Sequence, residues 1–320
     1  MSESLIDILM ATYNGERFVG EQIESIQAQT YDNWRLLVSD DCSTDGTLSI
    51  VRRYADQDDR IRIVSEGVSH GGAKENFFAL MAKSSAPYVM FCDQDDVWLS
   101  EKVEKCLEAM KTLEYRSAAD TPLMVFCDMK VVDADLNVIN NSFERSNVLG
   151  YDSLSFNRLL VQNTAAGCCI LVNRETIKDS LLVSNYNSIE MHDWWLVLVA
   201  SALGRVRFVD EPLSLYRQHD TNAVGSADYQ PLKETRDLGP VKRGFLVTLR
   251  QAETFKFTYG SMLSSENFKT VERYVSISSE RNFLKRLVLL VQSGCFKKGG
   301  TRIVGQFVMA ATYHPLKFSN

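Results

Sequence analysis

Apolar and polar positions follow two alternating patterns in the first hundred residues. Short segments that are almost entirely apolar are typical of buried strands, and longer segments with apolar residues every three or four positions are typical of helices. The segment YVMFC, residues 88–92, is apolar on both faces, as a strand inside a doubly covered sheet requires. The pattern predicts strands at 5–11, 34–40, 60–66 and 87–92 and helices at 19–29, 46–56, 73–84 and 101–113. This alternation predicts βαβ units and a mostly parallel sheet, which is the α/β fold class.

The middle third of the chain has a mixed pattern. The segment LMVFCDMKVVDADLNVI, residues 123–139, predicts two strands joined by a turn, and GCCILVN, residues 167–173, predicts one more. DWWLVLVASALG, residues 193–204, predicts a buried helix that ends at a glycine. Two further short strands are predicted within RVRFVDEPLSLYR, residues 205–217.

The last third of the chain is helical and more basic than the rest. We therefore divide the chain into residues 1–225 and 226–320, and place the boundary in the weakly patterned stretch 219–245.

The charge of the chain is unevenly distributed. Its net charge of −6 argues against general nucleic-acid binding. Residues 281–320 contain seven Lys or Arg and no Asp or Glu, so the first 280 residues carry −13. Because these cations alternate with Leu, Val, Ile and Phe, the segment is a candidate for binding an anionic membrane surface. Helical packing on the rest of the chain and an oligomer contact are the alternatives.

Cysteines and apolar runs indicate the cellular compartment. None of the seven cysteines forms a CxxC pair, which favours reduced thiols in a cytosolic protein. The sequence contains no run of 18 apolar residues, so no transmembrane helix is predicted. The N-terminal segment MSESLIDILMATYNG lacks the basic start of a signal peptide.

Polar residues follow three of the predicted strands. ATYNGE, SDDCSTDGT and CDQDD stand at strand ends, and ligands of open parallel sheets bind beyond those ends. Asp93 and Asp95 project to the same side of a turn, where carboxylate oxygens suit Mg²⁺ or Mn²⁺. An acidic surface turn without a metal is the alternative. The first strand is followed by neither a GxGxxG nor a P-loop sequence, which disfavours a dinucleotide oxidoreductase and a P-loop NTPase.

Four ordered motifs resemble those of the inverting family 2 glycosyltransferases. They are ILMATYNGERFVGEQIESIQAQTYDNWRLLVSDDCSTDGT, YVMFCDQDDVWLSEKV, HDWWLVLVASALG and PLSLYRQHDTN, and the chain is most similar to the bacterial rhamnosyltransferase-like branch. The resemblance covers roughly residues 5–225. It implies the glycosyltransferase A (GT-A) fold, with a Rossmann-like nucleotide-binding half at about 1–99 and an acceptor-binding half at about 100–225.

The resemblance implies nucleotide-binding roles at the first two strand ends. Thr12, Tyr13 and Asn14 would border the base and ribose, and Asp41 would hydrogen-bond the pyrimidine. Asp41 also precedes a helix start, so a turn residue is the alternative. Cys42 departs from the family, which commonly has glycine there; we expect little effect unless the backbone needs a positive φ.

The resemblance also implies a metal site and a catalytic base. Asp93 and Asp95 match the family's DxD motif for nucleotide and metal, and His219 falls where a metal or diphosphate contact is expected. A surface histidine is the alternative. Asp193 matches the catalytic base, and it is also a candidate helix N-cap. The two roles are compatible, because a helix N-terminus favours an ionised carboxylate.

Four residues in or near these motifs are expected to contact the sugar or the acceptor. They are Gln94, Trp98, Gly167 and Trp194. Packing in the core is the alternative for Trp98 and Trp194.

The implied activity is sugar transfer with inversion, dependent on Mn²⁺ or Mg²⁺. The expected donor is dTDP-L-rhamnose, with a UDP-hexose or UDP-N-acetylhexosamine as the alternative. The expected acceptor is a polyprenyl-linked glycan of bacterial cell-surface polysaccharide synthesis, which would place the protein in the cytoplasm, at the inner face of the plasma membrane. A non-catalytic subunit that binds nucleotide sugars for assembly is the alternative from another class.

Overall fold

The computed structural model of the protein describes residues 4–147, 154–219 and 239–313. Within these ranges one sheet contains nine strands. The strands are β1 (Ile6–Thr12), β2 (Trp34–Asp40), β3 (Ile61–Ser65), β4 (Tyr88–Cys92), β5 (Val97–Trp98), β6 (Leu123–Val132), β7 (Val138–Asn140), β8 (Ile170–Asn173) and β9 (Arg205–Arg217).

Helices flank the sheet and make up the C-terminal third of the described chain. They are α1 (Val19–Gln27), α2 (Thr47–Ala55), α3 (Ala73–Lys83), α4 (Lys102–Tyr115), α5 (Phe143–Asn147), α6 (Phe156–Leu159), α7 (Arg174–Ser180), α8 (His192–Leu203), α9 (Gly239–Tyr259), α10 (Ser265–Ser276), α11 (Phe283–Ser293) and α12 (Gly300–Thr312).

The strand order is β3-β2-β1-β4-β8-β6-β9-β5, with β7 paired to β6. The pairs among β1, β2, β3 and β4 are parallel, as the alternating pattern predicts. In the second half of the sheet, β6 and β9 are parallel, but β8, β7 and β5 pair antiparallel with their neighbours. The α/β class is therefore confirmed, and the sheet becomes mixed after β4. Every residue of β4 is buried, in agreement with its apolar pattern.

Two strand predictions in the middle third differ from the structure. Residues 205–217 form the single strand β9 instead of two. Its register with β6 shifts around Asp128, which pairs with Pro212, and a proline without an N–H explains the irregularity. The strand continues because its second half pairs with both β6 and β5. In GCCILVN, Gly167–Cys169 forms a 3-10 turn and the strand begins at Ile170.

The C-terminal helices pack on α8 through aromatic rings. The ring of Trp195 lies 5.4 Å from that of Phe255 and 5.7 Å from that of Tyr259, and all three are fully buried. The Tyr259 hydroxyl donates a hydrogen bond to the Asp179 carbonyl. No helix of the described residues is both long and apolar enough to cross a membrane. Most of the predicted boundary falls on residues 220–238, outside the described residues, so the division at residue 225 stays a prediction.

The loops after β1 and β2 each contain a residue with a left-handed backbone. Asn14 has a φ of 46° and Cys42 a φ of 64°. Asparagine tolerates this region, whereas a cysteine Cβ is strained in it. The backbone at Cys42 therefore has the positive φ at which a residue other than glycine is strained, so the departure from glycine is expected to affect stability.

We predict that Cys42→Gly stabilises the protein. The substitution removes Cβ strain of roughly 1–2 kcal/mol, while the freedom of glycine in the unfolded chain offsets about 0.5–1 kcal/mol of that gain. A higher urea midpoint with an unchanged slope is the expected result. Cys42→Ala is the control, because it removes the thiol and keeps the Cβ. An equal gain in both variants would show that the thiol, and not the backbone, is responsible.

Candidate active site

A cavity of about 1100 Å³ opens beyond the carboxyl ends of β1, β2 and β4. Nine of the sequence-predicted site residues line it, and the other three lie outside its wall. The nine are Thr12, Tyr13, Asp41, Asp93, Gln94, Asp95, Gly167, Asp193 and Trp194. The remaining three are Asn14, Trp98 and His219.

The loop after β1 is fixed to the loop after β4 by a reciprocal pair. Tyr13 N donates to Gln94 Oε1, and Gln94 Nε2 donates to the Tyr13 carbonyl, both at 2.9 Å. A Cβ on Gly15 would lie 2.3 Å from Gln94 Oε1, which explains the glycine in ATYNGE. The Gln94 amide thus braces the wall of the cavity, and the exposed Tyr13 ring faces the open space.

Thr12 and Asn14, which the sequence predicts to contact the nucleotide, form hydrogen bonds that hold loops in place. Thr12 Oγ1 donates to Asp40 Oδ1 at 2.9 Å, at the edge of the cavity. Asn14 Oδ1 accepts from Thr44 N at 2.8 Å. Because Asn14 does not line the cavity and its side-chain oxygen already bonds Thr44, a direct nucleotide contact by this side chain is not supported.

Asp41 holds a glycine-rich loop against the cavity. Its carboxylate accepts from the backbone N–H of His70 and of Gly72, the latter at 2.9 Å. Ser69, Gly71 and Gly72 of this loop line the cavity, and sequence reasoning missed them. The signal was the run of small residues in SHGGA directly before α3.

The turn of residues 93–96, here called the acidic turn, carries three carboxylates with different surroundings. Burial, together with the negative charges of Asp95 and Asp193, raises the pKa of Asp93 to about 7. Asp95 Oδ2 lies 2.8 Å from His219 Nε2. Asp96 is fully buried, and its Oδ1 accepts from Arg217 N at 3.1 Å.

Buried cations lie behind the acidic turn. Arg217 Nε donates to the Asp95 carbonyl at 2.8 Å, and the guanidinium also bonds Glu21. Lys102 is fully buried, donates to the Cys168 carbonyl at 2.6 Å, and lies 3.9 Å from the centre of the Trp98 ring. Trp98 is 3% exposed, so the expectation that it contacts a sugar is wrong. Packing with Lys102 is its role in the structure.

The residues at the acidic turn fit a divalent cation. Asp93 and Asp95 line the cavity with like charges close together, and His219 adds a nitrogen next to Asp95. Asp93, Asp96 and Cys168 also cluster within 4.8 Å. Cys168 is a poor ligand for a hard cation, and its hydrogen bond with Cys169 and its burial raise its thiol pKa. The two carboxylates that line the cavity, Asp93 and Asp95, suit Mn²⁺ or Mg²⁺ better than this cluster does.

Asp193 lies in the first turn of α8, at the wall of the cavity. The residue before the helix, Met191, makes no side-chain cap, so Asp193 is not the N-cap. Burial raises its pKa to about 6, while hydrogen bonds from Trp194 N and the Asn163 side chain oppose the rise. The Trp194 indole N–H donates to the Leu159 carbonyl at 2.7 Å, which fixes this half-buried ring at the cavity.

His192 is a cavity residue that sequence reasoning missed. Burial lowers its pKa to about 3, so the ring is neutral at physiological pH. It packs 4.1 Å from the Phe77 ring, and neither ring nitrogen has a hydrogen-bond partner among the described residues. A Cβ on Gly167 would lie 3.0 Å from His192 Nε2, which explains a small residue there. The signal was the polar residue directly before Asp193 in HDWW.

The C-terminal helices form part of the cavity wall, which sequence reasoning also missed. The residues of this part of the wall come from α9, from α12 and from the loop before α12. They are Pro240, Val241, Gly244, Phe245, Lys297, Thr301, Arg302, Gly305, Gln306 and Met309.

Several curated proteins are similar to this chain over most of its length. dTDP-rhamnosyl transferase RfbG of Shigella flexneri is 28% identical over 227 residues, which cover 68% of this chain and 74% of that protein. UDP-Glc:alpha-D-GlcNAc-diphosphoundecaprenol beta-1,3-glucosyltransferase WfgD of Escherichia coli is 27% identical over 240 residues, which cover 74% of this chain and 86% of that protein.

Solved structures share the fold at low sequence identity. TarS 1–349 of S. aureus, crystallised in complex with UDP-GlcNAc, aligns with 96% of this chain and 90% of its own at a TM-score of 0.52 and 14% identity. Mannosyltransferase PcManGT from Pyrobaculum calidifontis, in complex with GDP-Man and Mn²⁺, aligns with 95% of this chain and 86% of its own. Its TM-score is 0.51 and its sequence identity is 12%. The fold is thus the predicted GT-A fold with additional C-terminal helices.

The family model described as glycosyl transferase family 2 matches residues 7–181. This match includes the acidic turn and ends before Asp193 and His219. Because it spans more than half of the chain, the protein belongs to glycosyl transferase family 2 and is a glycosyltransferase.

Proposed function

We propose that the protein transfers a sugar from a nucleotide-diphosphate donor to a glycan hydroxyl, with inversion, in bacterial cell-surface polysaccharide synthesis. One observation carries the proposal: the acidic turn and the buried carboxylate of Asp193 face the same cavity. The first suits a diphosphate through a cation, and the second suits a proton acceptor.

The donor would occupy the part of the cavity formed by the β1, β2 and β4 loops. The exposed Tyr13 ring and the loop held by Asp41 would border the nucleoside. Asp93 and Asp95, with His219, would hold Mn²⁺ or Mg²⁺. The cation would supply a Lewis acid for the departing diphosphate.

Asp193 would take the proton of the acceptor hydroxyl. A carboxylate with a pKa of about 6 is largely ionised at neutral pH, and it is more basic than an exposed aspartate. In one displacement the acceptor oxygen bonds the anomeric carbon, its proton passes to Asp193, and the bond from the sugar to the diphosphate breaks. No covalent sugar–enzyme intermediate forms, so one carboxylate is sufficient.

We propose dTDP-L-rhamnose as the donor, because RfbG is named as a dTDP-rhamnosyl transferase. A UDP-sugar is the alternative, and the likeness to WfgD favours it. The name of WfgD specifies a diphosphoundecaprenol-linked acceptor, which supports a polyprenyl-linked acceptor for this chain.

An exposed apolar stripe on the C-terminal helices supports peripheral membrane binding. Leu284, Val288 and Val291 share one face of α11, and Val304 and Val308 share one face of α12. Arg281 and Lys285 are exposed on the same segment. Arg286 instead lies inside, where it donates to the carbonyls of Ala310 and Ala311. We propose that the stripe, with its neighbouring cations, lies on an anionic inner leaflet.

We predict that nucleoside diphosphates stabilise the protein only when a divalent metal is present. A ligand at about 100 times its Kd adds about 2.7 kcal/mol, which a thermal-shift assay detects. TDP, UDP, GDP and NAD should be compared with and without Mn²⁺ or Mg²⁺. A TDP preference supports the rhamnosyl donor, and a UDP preference supports the alternative.

Asp95→Asn should remove the metal-dependent part of this shift. Asp59→Asn, at an exposed position far along the chain from the acidic turn, is the matched control and should retain the shift. Absence of a metal-dependent response to every nucleoside diphosphate would contradict the proposed site.

We predict that Asp193→Asn lowers turnover by roughly 10²–10⁴-fold and keeps donor affinity, because an amide does not accept the proton.

In the wild type, kcat should fall as the pH drops through about 6, where the Asp193 carboxylate becomes protonated. Transfer kinetics and donor titration measure the two effects. Equal turnover in Asp193→Asn would contradict the base assignment, and a wild type that binds donor without any turnover would favour a non-catalytic assembly subunit.

We predict that Leu284→Glu combined with Val288→Glu reduces co-sedimentation with anionic liposomes. Both side chains are exposed, so the fold and nucleotide binding should remain unchanged. Phe257→Glu is the control, because Phe257 is an exposed apolar residue of α9 outside the stripe. Undiminished sedimentation of the double variant would show that the stripe does not bind membranes.

A further inference from the structure

The segment KKGGTR, residues 297–302, forms a basic turn at the start of α12 and borders the catalytic cavity. Lys297, Thr301 and Arg302 are part of the cavity wall. The function proposed above does not use this basic turn.

The local sequence of the basic turn is unfavourable for an isolated helix. The residue before α12, Gly299, makes no side-chain cap, and the first turn contains Arg302 and no acidic residue. Cations at a helix N-terminus oppose the macrodipole, and the first N–H groups of a helix have no partner within it. The same arrangement suits a bound anion, because uncapped N–H groups and side-chain cations then act together.

Lys297 adds a charged group without a partner in the described part of the chain. No hydrogen-bond or ion-pair partner of its Nζ is found within residues 4–147, 154–219 and 239–313. Burial lowers the pKa of this ammonium, and the positive charge of Arg302 lowers it further. A Cβ built on Gly244 of α9 would lie 3.8 Å from Nζ, so α9 approaches closely without a charge that balances it.

Gln162 is an independent sign of a ligand at the basic turn. It is only 8% exposed and lines the cavity, and its Oε1 accepts from Lys298 N at 2.8 Å. Its Nε2 has no partner among the described residues. A buried amide donor without an acceptor is costly, and an anion oxygen is the complementary group.

The position of Gln162 relates the basic turn to the proposed base. The side chain of its neighbour in the chain, Asn163, lies close enough to Asp193 to lower the pKa of that carboxylate. Gln162, Asn163 and Asp193 all line the cavity, so an anion at Gln162 would share this space with the proposed proton acceptor. The donor diphosphate has its own place at the acidic turn, which leaves the basic turn for the second substrate.

We propose that Lys297, Arg302, Gln162 and the N-terminus of α12 bind a phosphate or diphosphate group of the acceptor, and so direct an acceptor hydroxyl towards Asp193. This proposal rests on the proposed function and identifies the chemistry of the acceptor. Two sources carry such a group: a lipid-linked diphosphate and a soluble phosphorylated sugar.

Isothermal titration with inorganic pyrophosphate tests this site directly. The enzyme is first saturated with Mg²⁺ and with the nucleoside diphosphate that binds best, so that the donor site is filled. Lys297→Met should weaken pyrophosphate binding about tenfold or more, because a charge-assisted contact is lost. Lys269→Met is the matched control: it removes an exposed cation of α10, outside the cavity wall and the apolar stripe, and should bind like the wild type. The same titration with farnesyl diphosphate separates the sources, since tighter binding than pyrophosphate indicates a lipid-linked acceptor and equal binding indicates a soluble one.

The melting temperature of ligand-free Lys297→Met separates binding from a structural role. Removal of a partly desolvated cation that Arg302 repels should leave the melting temperature unchanged or raise it, whereas loss of a structural contact would lower it. Failure of the enzyme with a filled donor site to bind pyrophosphate, or equal affinities in Lys297→Met and Lys269→Met, would overturn the proposal and leave the proposed function intact. If no nucleoside diphosphate binds, the proposed function fails, and the two variants are then compared with pyrophosphate alone.

Discussion

Concentrated negative charge at the end of β4 is the constraint on which the rest of the site depends. Three carboxylates within four positions repel one another, and burial removes the water that would screen them. The chain meets one side of this charge with its own groups: the backbone N–H of Arg217 donates to Asp96, and the ammonium of Lys102 lies buried behind the turn. The other side, Asp93 and Asp95, lies at the cavity wall, where burial and the neighbouring carboxylates raise the pKa of Asp93 to about 7. The structure therefore leaves a place for a cation on the side where a diphosphate donor would enter.

This charge balance joins segments that are far apart in the chain. Arg217 ends β9, more than a hundred residues after the acidic turn, and contacts the Asp95 carbonyl and Glu21 together. The antiparallel pairing of β9 with β5 places it there. The family model match ends at residue 181, so it includes the carboxylates and not this partner. The second half of the sheet is thus required for the acidic turn to form in the geometry described.

Local periodicity was sufficient to predict the elements of the first half and the strand ends that meet at the cavity, because a period depends only on neighbours in the chain. Long-range packing decided what was missed. The sequence shows an aromatic residue at Trp98, but it does not show that this ring is buried against Lys102 and does not reach the cavity. It also shows an amide at Asn14, but Thr44 from the next loop occupies its oxygen. The basic C-terminal segment illustrates the same limit: a charge count does not reveal that Lys297 and Arg302 face the cavity while Lys285 faces solvent.

Several groups at this cavity destabilise the empty protein and become favourable in a filled one. Burial disfavours the ionised forms of Asp93 and Asp193, and it disfavours the ammonium of Lys297. At Asp193 the same burial makes the carboxylate a stronger base than an exposed aspartate, so a cost to stability is a gain in reactivity. At Asp93 a cation relieves the repulsion, and at Lys297 an anion does. Each ligand that binds the folded state alone therefore stabilises it. In the proposed function, two phosphate-bearing substrates with like charges would meet in one cavity. The carboxylate pair with a metal would hold the donor, and the fixed cations of the basic turn would hold the acceptor.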